Sequence, residues 1–124
     1  MVGDIWAAYG KQSPPHPYGF HDVERLTMFA DYRVPQILRV KGVLRYSPAL
    51  AERIDRREVL GFGSEEEVEI RAATIQAVER VREALVRLGA TEVKSVYLDW
   101  LLWQEGEAAK DRIAPHHRTL TVFY

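Results

Sequence analysis

The stretch from Ser64 to Gly89 constrains this chain more than any other. Ser64-Glu65-Glu66-Glu67 has the form of a capping box: a hydroxyl that accepts from the backbone three residues on, and a glutamate that reaches back. Three acidic residues in one turn also complement the positive end of the helix dipole. Behind them Val68, Ala72, Ile75, Val78, Val81, Leu85 and Leu88 recur every three or four residues, and Gly89 supplies the stop. A long helix that is apolar along one face has to be covered by other elements.

Those elements are helical too. Ser47-Pro48 pairs a capping hydroxyl with proline at the first helical position and predicts a helix through Ile54. Asp31 precedes Pro35 and a helix over Val34–Val40, which Gly42 ends. Asp22 is placed to cap a helix carrying Val23, Leu26, Thr27, Phe29 and Ala30. Thr91 is placed to cap another, with Val93, Val96, Tyr97, Trp100, Leu101 and Trp103 in one broad stripe and a loosened end at Gly106. Residues 4–9 form a short amphipathic turn through Ile5, Trp6 and Tyr9, and Val2 to Tyr9 reads as the inside of a helix. The segment 10–19 holds three prolines and two glycines and is a loop. Leu60-Gly61-Phe62-Gly63 is a turn, and 116–124 is an extended tail or short strand. The expectation is a single all-α domain over 1–124, with four to six helices and a short extended C-terminal tail.

Composition removes several classes of function. The 124 residues carry 17 Lys+Arg against 18 Asp+Glu, a net charge of −1, so no global positive field exists to hold a nucleic-acid duplex. Cysteine is absent, which excludes disulfides, thiolate nucleophiles and Cys-ligated zinc and suits a reducing cytoplasm. No apolar run approaches the length needed to span a bilayer, and Met1-Val2-Gly3-Asp4 lacks the basic start of a signal peptide. A cytoplasmic protein with no membrane partner and no direct nucleic-acid partner is expected.

Three clusters stand above that background. Phe29-Ala30-Asp31-Tyr32-Arg33-Val34-Pro35-Gln36 packs an acid, a base, two aromatics and an amide beside a helix start, where Asp31 also serves as a plain cap. Asp99 lies between Leu98 and Trp100 on the most apolar helix, so it is paired, at a solvent edge, or facing a pocket. His116-His117-Arg118 sets cations before an apolar end, as surface charge or as a contact that pins the tail. The adjacent histidines have no familiar ligand spacing, and Gly61-Phe62-Gly63 has no following P-loop lysine.

Asp31-Tyr32-Arg33-Val34-Pro35-Gln36, Glu67-Val68-Glu69-Ile70-Arg71-Ala72-Ala73, Leu98-Asp99-Trp100-Leu101-Leu102-Trp103 and the terminal Pro115-His116-His117-Arg118-Thr119 with Phe123-Tyr124 occur in one order. Together they closely resemble the queuosine salvage protein family, the queuosine 5′-phosphate N-glycosylase/hydrolases. The resemblance runs over nearly the whole chain and reads as the C-terminal portion of a longer enzyme.

That resemblance implies hydrolysis of the N-glycosidic bond of queuosine 5′-monophosphate, releasing queuine for tRNA modification, on a helical fold like that of the helix-hairpin-helix DNA glycosylases. It implies Asp31 as the catalytic acid, with Asp22 as the lower-ranked alternative. Phe29, Asp99, Trp100 and Gln104 are implied around the base. Gln104 departs from the family, where an acid is expected, and so puts one hydrogen bond to the substrate amine in doubt. Arg33 and Arg118 are candidate partners for the 5′-phosphate, and neither a metal nor an organic cofactor is required. The alternative is a truncated or split fragment that binds a deazapurine base without turnover, pairs with a separate N-terminal chain, or self-associates.

Overall fold

The structure, a computed structural model, describes residues 2–123. It is all-α: five helices, α1 (Val2–Ala8), α2 (Arg33–Val40), α3 (Pro48–Asp55), α4 (Glu65–Arg87) and α5 (Ser95–Ala109), with two-residue strands β1 (Val59–Leu60) and β2 (Arg118–Thr119).

Local sequence chemistry sets most of the boundaries. The Ser64 hydroxyl accepts from Glu67 N at 3.4 Å to open α4, and Ser47 does the same for Leu50 N at 3.3 Å in α3. Glu67 reaches back one residue further than in a standard capping box, accepting from Gly63 N at 3.2 Å. Gly42, Gly63 and Gly89 all have positive φ, the conformation that ends a helix or turns a loop at no steric cost.

Three expectations fail. Between Val23 and Ala30 only a 3-10 turn forms, over Val23–Arg25, and residues 26–31 belong to no helix or strand. Met28 and Ala30 are buried there on alternate positions, so the tertiary core overrides the local helical pattern. Helix α5 starts at Ser95 rather than just after Thr91, with Lys94 at the cap position. Ser95 is buried and donates its hydroxyl to Glu79 of α4, a long-range tie that fixes the helix start. Finally, α5 runs on through Gly106 to Ala109.

The core has two parts. Met28, Ala30, Val34, Leu38, Leu44, Val78 and Leu98 gather where α2, α4 and α5 meet. Leu50, Ile54, Leu60 and Ile70 form a second cluster beneath α3 and the start of α4. Gly106 allows α5 to lie close on α2, because a Cβ there meets Cγ and Cδ of Arg33 at 2.9 Å. Gly3 does the same for α1, where a Cβ meets Val96 Cγ2 at 2.7 Å.

The tail is held by a parallel β pairing, Val59 with Arg118 and Leu60 with Thr119. Beside it His117 is buried, and burial with the neighbouring His116 holds its imidazole down at about 4, against the pull of Glu67. Glu67 is itself fully buried, with Arg71 NH1 3.6 Å away. Glu67, Arg71 and His117, from two of the recognised strings, therefore form a structural clasp between α4 and the tail.

Candidate active site

A cavity of about 1030 Å³ opens between α1, the segment 26–31, α5 and residues 122–123. Asp31, Phe29, Asp99, Trp100 and Gln104 all line it, although up to 75 residues of sequence separate them. Asp22 does not line it; it is exposed and caps nothing through its side chain.

The elements explain why these side chains converge. Asp31 ends this segment just before α2. Its Oδ1 accepts from the backbone N–H groups of Arg33 and Val34, each at 2.9 Å. These two hydrogen bonds fix the carboxylate by one oxygen and cap the helix. Burial pushes this carboxyl above its ordinary value, and the two N–H groups, the Arg33 charge and His116 oppose the rise. The helix-start N–H groups alone suggest a readily ionised acid; in the folded protein, burial is the larger influence.

Asp99 projects from the second turn of α5. Its Oδ2 accepts from Phe29 N at 3.2 Å, which joins helix to segment 26–31 across the cavity wall. Burial, with the charges of Asp31 and Asp4 adding to it, pushes this carboxyl up to about 6. Two carboxyl groups whose affinity for protons is raised chiefly by burial thus share one cavity, and the charge of Asp31 adds to the rise at Asp99.

Aromatic surface surrounds them. Phe29 is 53% exposed and Trp103 43%, and both line the cavity, so each offers a ring face to an occupant. Trp100 donates Nε1–H to Asp4 Oδ1 at 3.1 Å and packs against Tyr97, which stacks on Trp6 of α1. Sequence reasoning missed Asp4 and Trp103 as cavity residues, and held Tyr32 only as a member of the Phe29–Gln36 cluster. Trp103 stands four residues after Asp99 and so shares its helix face, a signal that was available. Asp4 gave none, because its partner lies 96 residues away.

Chemically, the cavity matches a flat heteroaromatic ring with N–H and NH₂ donors on one edge. A carboxylate accepts two such donors side by side, and an aromatic wall supplies the stacking face. Among the described residues no group of three or more His, Asp or Glu side chains is placed to hold a metal ion. The fold and cavity define a helical protein with a pocket walled by carboxylate and aromatic side chains.

The comparisons with known proteins give the family. The sequence profile of the queuosine salvage protein family matches residues 1–124, and the chain belongs to that family. It is 48% identical over 124 residues to the queuosine 5′-phosphate N-glycosylase/hydrolase of Dictyostelium discoideum and 47% to that of Sphaerobacter thermophilus. The Mus musculus protein of the same name is 39% identical over 132 residues. In each case all of this chain is covered. It spans 37% of the length of the first two relatives and 38% of the third.

Proposed function

We propose that this chain carries the base pocket and catalytic carboxylate of an enzyme that hydrolyses queuosine 5′-monophosphate to queuine and ribose 5-phosphate. The observation that carries the reading is the pairing of Asp31 and Asp99 in one aromatic-walled cavity.

In this reading Asp99 and Phe29 hold the deazaguanine edge and face, with Trp100 and Gln104 completing the enclosure. Asp31 stands at the sugar. As the N-glycosidic bond breaks, its electron pair leaves with the base and positive charge develops on the ribose. The Asp31 carboxylate stabilises that charge and accepts a proton from the attacking water, whose oxygen bonds to the anomeric carbon. The departing base takes up a proton, so the balance is nucleotide plus water to queuine plus sugar phosphate. Tethering by Arg33 N and Val34 N keeps the carboxylate aligned without reorganisation.

The share of the relatives' length, 37%, favours a second reading in which the pocket binds the base but turnover needs more chain. Chromatography of an incubation with queuosine 5′-monophosphate separates the two. Release of queuine supports the enzyme; tight binding of queuine without release supports the binding fragment; neither refutes both.

A further inference from the structure

Glu67 is fully buried in the first turn of α4, yet opening that helix does not require it. Ser64 supplies the cap, and Glu65 and Glu66 bring acid to the same turn nearer to solvent. A carboxylate withdrawn from water is strongly unfavourable unless charges and N–H groups surround it. Glu67 accepts from Gly63 N at 3.2 Å and has Arg71 Nη1 3.6 Å away. His117, from the tail, is buried too, and lies close enough for the charges of Glu67 and Arg71 to act on its ring.

From His117 a line of contacts leads to the carboxylate cavity. The His117 carbonyl oxygen lies 2.6 Å from Nδ1 of His116. A carbonyl only accepts, so His116 carries a proton on Nδ1 and donates it there. The seat of His117 therefore fixes the rotation of the neighbouring imidazole. Two residues before His116, the Ala114 carbonyl accepts from Gln36 Nε2 at 2.7 Å, so α2 pins the segment from its other end. Held on both sides, the His116 ring packs on Tyr32 with centroids 4.5 Å apart. Tyr32 lines the cavity and follows Asp31, and His116 is close enough for its charge to act on the Asp31 carboxyl.

Attachment of the tail is already provided by β1 and β2, where Val59 pairs with Arg118 and Leu60 with Thr119. What the buried carboxylate adds is orientation, one residue upstream of that pairing. Asp99 stands outside this line, on α5, bonded to Phe29 N.

We propose that Glu67 is a positioning residue for the carboxylate cavity: by seating His117 it fixes the His116 imidazole against Tyr32, and so sets the wall beside Asp31. Its effect on turnover rests on the reading of Asp31 as the catalytic carboxylate. Its effect on the His116–Tyr32 contact does not.

The test compares three variants with the wild type, each well below its unfolding midpoint. Glu67→Gln keeps an acceptor for Gly63 N and removes the charge, and His117→Gln breaks the same contact from the tail. Glu65→Gln, exposed in the same turn, is the control. The His116 ring C–H resonances, displaced by the Tyr32 ring in the wild type, should move toward those of a free imidazole in the first two variants and stay in the third. In the same two variants kcat for queuine release should fall by about tenfold or more, with affinity for queuine unchanged. In a His116→Ala background, Glu67→Gln should cost no further rate, because the relay already lacks its end. If Glu67→Gln does not fold, His117→Gln decides the matter by the same resonances and rates. Unmoved His116 resonances, an unchanged kcat, or a loss of queuine affinity equal to the loss of rate overturns the proposal. So does an equal effect of Glu65→Gln, or the full effect of Glu67→Gln persisting without His116. Queuosine 5′-monophosphate left intact by the wild type refutes the hydrolase reading instead, and the resonances then decide whether Glu67 holds the wall.

Discussion

The Asp99 carboxylate accepts a hydrogen bond from the Phe29 backbone N–H at 3.2 Å, joining residues 70 apart in sequence. The contact closes one wall of the cavity and sets a charged oxygen beside an exposed ring. Holding that carboxylate next to Asp31 and Asp4, partly out of water, is unfavourable for the ionised form.

Asp99→Asn should therefore make the protein more stable at neutral pH while removing its affinity for the base. The folded carboxyl titrates at about 6, above the ordinary 3.8, so its contribution is fully present below 3.8 and is lost as pH rises through 6. Asparagine keeps the bond to Phe29 N and never ionises. Urea melts should show a gain of about 1 kcal/mol at pH 7.5, discounted for the water that still reaches the side chain, and a gain that shrinks toward pH 4. Queuine binding to the wild type should weaken as pH falls below 6.

His117 acts in the opposite sense. Its folded value of about 4 lies below the ordinary 6.5, so the stability it contributes is present above 6.5 and is lost as pH falls toward 4. Compared with His117→Gln, the wild type should lose about 2 kcal/mol more between pH 7 and pH 5. Parallel slopes for the two proteins would show that the clasp does not hold a neutral imidazole.

Gly106→Ala should destabilise the fold although alanine is the better helix former. The added methyl meets Arg33 Cγ and Cδ at 2.9 Å, so either α5 moves or the Arg33 stem gives way. A loss of about 1–3 kcal/mol in thermal or urea unfolding is expected.

What could be read from the sequence was local. The caps at Ser47 and Ser64, the stops at Gly42 and Gly89, and the long α4 depend on neighbours within a turn or two, and each stands in the fold. Asp31 was legible twice, as a cap and as a candidate acid, and its geometry shows one oxygen engaged as a cap. Residues decided by distant partners were not legible. Met28 and Ala30 enter the core from backbone that belongs to no helix or strand. Ser95 is tied to Glu79 across two helices, and Gly106 continues a helix because Arg33 needs its space. Arg33 and Arg118 stood out in the sequence, while Arg57 comes beside Arg118 through the β1–β2 pairing.

The most direct measurement is the rate of queuine release from queuosine 5′-monophosphate by the wild type, Asp31→Asn and Arg80→Gln. Asparagine at position 31 retains the bonds to Arg33 N and Val34 N, so helix and cavity persist while the charge is removed. The account predicts release by the wild type and Arg80→Gln at similar rates, and a fall of about 10²–10⁴-fold in Asp31→Asn with an unfolding midpoint no lower than the wild type's. Release by Asp31→Asn at the wild-type rate would contradict it.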